Sequence, residues 1–255
     1  MRVTDKKYYN EYINQIGKEI PYLIGQYDFT TGDSGSFSYL TKASAVYSSN
    51  IEGNTIDLNS FMNYELSKSK FKPTKEIEEI ENLITAYEFA QKTALTERNM
   101  LESHKILSKT LLIKSKRGKY REEPVGVFGK SGLIYLAIEP EYVRKEMKTF
   151  FDDITKLLSE DLNEKEVFYH ASLIHLIFVH IHPFMDGNGR IARLIEKWFI
   201  AEKLGKDFWK IPSEEYYKNH QEKYYEAIDI GINYYELNYD KCINFLELLP
   251  SCMIK

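Results

Sequence analysis

The sequence predicts a mainly α-helical fold with a single β-hairpin, on three observations. Apolar residues recur at spacings of three and four, as in Tyr8, Tyr12, Ile13 and Ile16, then Ile77, Ile80, Leu83, Ile84 and Tyr87, and later Phe168, Ala171, Ile174 and Phe178. Glycine or proline interrupts that rhythm at Gly32 to Gly35, Gly53-Asn54, Lys72-Pro73, Gly187 to Gly189 and Ile211-Pro212, which divides the chain into about nine helices. One stretch, Tyr120 to Tyr135, departs from the helical period: Val125 and Val127, then Leu133 and Tyr135, alternate around Gly129-Lys-Ser-Gly132, the pattern of two strands and a turn. Thr30 to Ser36 is the segment with linker composition, and no internal repeat or low-complexity tract is present.

Size and charge narrow the function. With 255 residues the chain can bury a substantial core without disulfides. Its two cysteines, Cys242 and Cys252, have no metal-ligand spacing, which suits free thiols in a reducing cytosol. The first residues, Met1 to Lys7, run into a polar amphipathic stretch rather than an apolar signal core, so a cytoplasmic protein is expected. The apolar run Ala171 to Ile181 is broken by His175 and His180 and falls far short of the roughly 20 residues that span a bilayer, which argues against a membrane protein. A net charge of −4, from 34 Lys and Arg against 38 Asp and Glu, provides no basic field for nucleic acid.

The segment Ile181-His-Pro-Phe-Met-Asp-Gly-Asn-Gly-Arg-Ile-Ala-Arg193 concentrates chemistry between two predicted helices. Pro183 disfavours the α conformation at His182, so the first helix should end there and present the imidazole as an exposed loop base. Gly187, Asn188 and Gly189 tolerate positive φ and let backbone N–H groups curl around an anion, and the following helix N-terminus adds its own amides and dipole. Arg190 and Arg193, three apart on that helix, share a face and can neutralise a polyphosphate. Asp186 offers one hard oxygen of the kind that Mg²⁺ shares with substrate phosphates. His182 can take a proton from a hydroxyl nucleophile near neutral pH. Each feature alone suits a plain turn or a solvated face; together they compose a phosphoryl-type transfer site.

This string resembles the Fic family motif, His-Pro-Phe, any residue, Asp or Glu, Gly-Asn-Gly-Arg, two residues, Arg, with every fixed position matched. The likeness runs from about Tyr39 to Leu249, with echoes at Leu101 to His104, Gly118-Lys-Tyr-Arg121 and Tyr216 to Tyr225. It implies a Fic-type helical bundle in which the hairpin is a flap. His182 would be the general base, Asp186 the Mg²⁺ ligand, Gly187, Asn188 and Gly189 the anion hole, Arg190 and Arg193 the phosphate contacts, and Phe184 a packing anchor. Val127, Phe128 and Gly129 would be the flap residues that pair with a target backbone. Tyr224 and Tyr225 would belong to the nucleotide site, although the Asn that relatives often place eight residues after the first Tyr is here Ile232, with Asn233 next.

Ser48-Ser-Asn-Ile-Glu52-Gly53 resembles the family's inhibitory motif in the subclass that carries it ahead of the core. By that likeness Glu52 should pair with Arg193 and obstruct the γ-phosphate, an attraction of roughly 4 kcal/mol at ~4 Å before desolvation. The bland reading is that Gly53 caps the helix and Glu52 is solvated. The resulting expectation is an N-terminal extension over 1–70 packed as one unit with a catalytic domain over 71–255, using ATP and Mg²⁺ to adenylylate a Ser, Thr or Tyr hydroxyl of a protein held on the flap, with self-modification and a homodimer left open. A phosphodiesterase that removes AMP using Glu52, or a non-catalytic nucleotide-binding module, would use the same residues. His104, His170, His175, His180 and His220 show no ligand spacing and read as packing or surface residues.

Overall fold

The computed structural model describes residues 1–254 other than 28, 30–33, 71 and 130–131. Its helices are α1 (Tyr9–Gln15), α2 (Ile20–Gln26), α3 (Ser34–Ile51), α4 (Leu58–Ser67), α5 (Lys75–Ala90), α6 (Glu97–Leu107), α7 (Pro140–Ser159), α8 (Glu164–Ile181), α9 (Asn188–Leu204), α10 (Ser213–Asn219), α11 (Gln221–Ile228), α12 (Ile243–Leu246) and α13 (Leu248–Ser251), with short 3-10 turns between some of them. Strands β1 (Gly126–Gly129) and β2 (Gly132–Leu136) form the one sheet among the described residues, an antiparallel pair. The helical segments outnumber the nine expected because several breaks carry no glycine or proline. The α10–α11 boundary at His220, with φ −118° and ψ 39°, is one of these.

Side-chain caps set the starts of α4, α5, α6 and α8. Asp57, Thr74 and Thr96 accept the N–H of Ser60, Ile77 and Asn99, and Asn163 with Glu166 forms a full capping box at the head of α8. From Val167 to Ile181 every residue of α8 is buried, so it is the central element rather than an amphipathic surface helix. Helix α9 packs against it, and α3 packs on α5, α9 and α10. One core contains Tyr12, Val46 and Phe61 from the N-terminal stretch together with Phe168, Phe178 and Trp198. A fully buried Lys197–Glu214 pair, with Tyr87 donating to Glu214 at 2.6 Å and Lys197 to Ser44 at 2.9 Å, joins α3, α5, α9 and α10.

The hairpin is narrower than the alternation suggested. Residues 120–125 are not strand: Pro124 lacks an N–H for a ladder, and the Arg121 N–H donates instead to the Pro183 carbonyl at 2.9 Å. The register shifts between Val127 and Phe128, a bulge that bends the ribbon. Of the expected turn, Lys130 and Ser131 lie outside the described residues, as do residues 30–33 of the linker segment; from Ser34 the chain is already helical.

Candidate active site

The reactive loop is held by four fixtures. His182 terminates α8 at φ 52°, ψ 59°, and is the one non-glycine at positive φ among the described residues. That conformation costs about 1–2 kcal/mol, and buried Arg121 stabilises it: Nε donates to the His182 carbonyl at 2.8 Å, one terminal nitrogen to the Glu123 carbonyl at 3.0 Å and the other to the Ile138 carbonyl. The Asn188 amide bonds both backbone groups of Phe184, donating to its carbonyl and accepting its N–H at 2.9 Å each. His104 stacks on Phe184 with ring centroids 3.6 Å apart, lies 3.0 Å through Nε2 from the Asp186 carbonyl, and accepts the Gly118 N–H at Nδ1. A carbonyl only accepts and an N–H only donates, so His104 is the neutral Nε2–H tautomer; burial pushes its pKa down to about 4.

The His182 imidazole is half-buried rather than exposed, because α8 ends inside the molecule. Its Nδ1 lies 3.1 Å from the Val179 carbonyl, so Nδ1 carries the hydrogen and Nε2 keeps its lone pair. Burial draws the pKa below the usual histidine value, although the Val179 bond and the charges of Glu52 and Asp186 oppose it. The ring is therefore a neutral base at pH 7.

Behind it lies the glycine turn. Gly187 sits at φ 83° as the N-cap of α9, a conformation that favours glycine, and its N–H donates to Asp186 Oδ1 at 2.6 Å. No side chain caps α9. Over Gly189, in its first turn, lies a carboxylate from another helix: a Cβ built on Gly189 would stand 2.3 Å from Glu52 Oε1 and 3.2 Å from an Arg193 terminal nitrogen. An anionic group thus already covers the helix N-terminus that sequence reasoning assigned to phosphate.

Glu52 is not a solvated last-turn residue. Its Oε1 accepts from Arg193 at 2.6 Å, and the Arg193 side chain is 1 % exposed against 27 % for Glu52. Arg193 Nε donates to Ser48 Oγ at 2.9 Å, one terminal nitrogen also to the Ser48 carbonyl at 3.0 Å, and the other to the Tyr224 hydroxyl at 3.1 Å. Burial pushes the Glu52 pKa up, yet the charges of Arg193 and Arg190 outweigh it and hold the carboxyl below its ordinary value. Gly53 at φ 94° turns the chain, and Asn50 donates to the carbonyls of Asn54 and Ile56 at 2.9 Å, so the turn after α3 is closed. The end of α3 is also gripped from α10 and α11. Gln221 and Tyr225 donate to the Ile51 carbonyl at 2.9 Å each, and Lys218 to the Asn50 carbonyl at 3.1 Å.

Arg190 is buried as well, not on a solvated face; it pairs with Glu79 of α5, and its other terminal nitrogen stands 3.8 Å from Asp186 Oδ1. Asp186 is exposed at the rim. Among the described residues no group of three or more His, Cys, Asp or Glu could enclose a metal ion. A lone rim carboxylate fits Mg²⁺, which keeps waters and borrows ligands from phosphates.

Val127, Phe128 and Gly129 lie on β1, with Phe128 72 % exposed. β2 continues pairing on its far side, where the Leu136 N–H donates to the Ile232 carbonyl at 3.0 Å and Leu136 bridges Asn233, while β1 has no second strand neighbour among the described residues. Tyr135 of β2 donates to the His180 carbonyl at 2.6 Å, which ties the hairpin to the end of α8, two residues before His182. The tyrosine pair, expected near the nucleotide, faces the inhibitory segment and the arginine it binds. Tyr224 is buried against Arg193, Tyr225 binds the end of α3, and the Asn233 side chain caps the 3-10 turn that follows it.

Sequence reasoning missed roles for Arg121, His104 and Glu79. The first two fell in segments whose order matched the family but whose partners are far off in sequence; for Glu79 nothing in its own helix pattern points to Arg190. Of the other histidines, His170, His175 and His180 are buried as expected.

Residues 94–200 match the model of the Fic/DOC family. The chain is 32 % identical over 162 residues to "Protein adenylyltransferase Fic" of Nematostella vectensis, covering 59 % of this chain and 35 % of that protein. It is 35 % identical over 75 residues to the protein of the same name from Aedes aegypti, covering 28 % and 14 %. The chain therefore spans about a third or less of these relatives' length. In structure it is similar to a Fic family protein from Desulfovibrio desulfuricans G20, with TM-score 0.77 and 24 % identity over 95 % of this chain and 71 % of that one. It is also similar to Fic-1 (residues 134–508) from C. elegans, with TM-score 0.65 and 18 % identity over 94 % and 69 %. No helix among the described residues is long and apolar enough to cross a membrane.

Proposed function

From the premise that the chain carries a Fic/DOC-family domain, we propose that it is a protein adenylyltransferase that moves AMP from ATP to a Ser, Thr or Tyr hydroxyl of another protein and is held inactive by Glu52. The observation that carries this reading is the Glu52 carboxylate over Gly189, bonded to Arg193 and within the field of Arg190. A site that attracts a carboxylate so placed is built to attract phosphate.

In this reading the glycine turn and the first amides of α9 cradle the phosphates while Arg190 and Arg193 neutralise them. Mg²⁺ on Asp186 would supply further charge neutralisation. The target chain pairs with the free edge of β1, which brings its hydroxyl towards His182. Nε2 accepts the hydroxyl proton as the oxygen attacks the α-phosphorus; the bond from that phosphorus to the bridging oxygen breaks, and pyrophosphate leaves. The γ-phosphate competes with Glu52 for Arg193, so resting activity is low. Residues 1–70 act as the inhibitory extension of the catalytic unit over 71–255.

The test is AMP transfer by wild type and Glu52→Gly. Higher transfer in the variant supports the reading. Equal or lower transfer, with a pre-modified target losing AMP only when Glu52 is present, would make the protein a de-adenylylating phosphodiesterase instead.

A further inference from the structure

Arg193 has four hydrogen bonds among the described residues, and three of them go to the inhibitory helix segment: Ser48 Oγ, the Ser48 carbonyl and Glu52. The fourth goes to the Tyr224 hydroxyl, on α11. Tyr224 is itself held from behind. Its hydroxyl lies 2.9 Å from His175 Nε2, His175 Nδ1 lies 2.8 Å from Glu196 Oε2, and the Tyr217 hydroxyl donates to both Glu196 oxygens at 3.0 Å. The side chains of His175 and Glu196 are fully buried, and Tyr217 and Tyr224 are 1 % exposed.

The hydrogens can be assigned in one consistent order. Arg193 has only donors, so the Tyr224 oxygen accepts from it and the hydroxyl hydrogen goes to His175 Nε2; Nδ1–H then donates to the Glu196 carboxylate. Each hydrogen is used once and the line ends on a negative charge. Such a line turns the Tyr224 lone pairs towards Arg193 and polarises them. The rings add restraint, with Tyr217 stacked on Tyr224 at 4.9 Å and Phe245 edge-on to His175 at 5.0 Å.

We infer that Tyr224, backed by His175 and Glu196, is the positioning device that keeps the Arg193 guanidinium facing the nucleotide phosphates once Glu52 gives way. Without it, displacement of the inhibitory segment would leave a long side chain free to leave its rotamer, and the charge would no longer be aimed. Tyr224 is then a positioning residue rather than part of the adenine site, and His175 acts through it without touching nucleotide. The inference rests on Arg193 as a phosphate contact, the reading given above.

The experiment measures ATP and AMP affinity by calorimetry with Mg²⁺ in a Glu52→Gly, His182→Ala background, which is released and does not turn over. Tyr224→Phe keeps the ring and removes the hydroxyl. It should lower ATP affinity on the order of tenfold, the scale of one hydrogen bond to a charged group, and leave AMP affinity, which lacks the distal phosphates, unchanged. His175→Phe should do the same from further away, and it carries the test if the lack of a cooperative unfolding transition shows that Tyr224→Phe does not fold. Arg193→Ala is the reference. If Arg193→Ala selectively weakens ATP while folded Tyr224→Phe and His175→Phe do not, or if they weaken ATP and AMP alike, the positioning role is overturned. If Arg193→Ala itself leaves the ATP to AMP ratio unchanged, the phosphate reading of Arg193 fails and the inference with it.

Discussion

Replacing Glu52 by Gln should destabilise the free protein and yet make it gain more from ATP than wild type does. The exchange keeps shape and removes charge. Breaking a buried pair costs about 3–5 kcal/mol when the partner is left wholly uncompensated. Here Arg193 keeps Ser48 and Tyr224, and Glu52 is 27 % exposed, so water reaches the site; the expected loss is about 1–2 kcal/mol. For a chain of this size that is a fall in Tm of a few degrees, at about 2–4 °C per kcal/mol. ATP binding reverses the comparison. Wild type must first release the Glu52–Arg193 bond, so its apparent affinity is weaker by the same 1–2 kcal/mol, roughly 5- to 30-fold. Differential scanning calorimetry with and without Mg-ATP reads both effects, and AMP serves as the control that does not reach Arg193. Equal gains from ATP in the two proteins would refute the claim that the carboxylate and the distal phosphates compete for one site.

Other outcomes follow from the same geometry. His182→Ala should lower transfer by roughly 10²- to 10⁴-fold with ATP affinity retained, measured by parallel rate and binding assays. Gly189→Ala places a methyl 2.3 Å from Glu52 Oε1; it should push Glu52 aside yet weaken ATP binding, because the methyl also fills the phosphate's approach, so activation by this variant would contradict the cradle. Stability should fall in acid: His104 and His180 are each drawn by burial from 6.5 to about 4, so the folded state binds fewer protons than the unfolded one. Their contribution is full above pH 6.5 and lost as pH falls towards 4, on the order of 3 kcal/mol each. Glu52, whose pKa is held below its ordinary value by Arg193 and Arg190 against the opposing effect of burial, adds stability that is lost as pH falls through that lowered pKa. Urea unfolding between pH 7 and 4 checks this, and a flat profile would contradict it.

Much of the site was legible because its parts are contiguous. Pro183 ends α8, Gly187 needs positive φ, and Arg190 and Arg193 follow on one helix, all within thirteen residues. The Glu52 pairing was legible only through family likeness, since nothing local in Ser48 to Gly53 says what stands opposite. What sequence could not supply is the set of groups brought from a distance. Arg121 reaches His182 across 61 positions, Glu79 reaches Arg190 across 111, and His175 meets Tyr224 across 49. The narrower hairpin has the same origin, because the residues before it pair with the loop after α8, and alternation alone cannot report that preference. The exposure expected of His182 failed because a loop that follows a wholly buried helix begins in the interior.

The central claim is tested most directly by following which phosphate moves. Glu52→Gly protein, Mg²⁺ and a cell lysate are incubated with ATP labelled at either the α- or the γ-phosphate, with Glu52→Gly/His182→Ala in parallel. The account predicts His182-dependent protein-bound label from α-labelled ATP, more than in wild type, and no His182-dependent label from γ-labelled ATP. Label from the γ-phosphate that disappears when His182 is replaced, or α-label that is unchanged without His182, would contradict it.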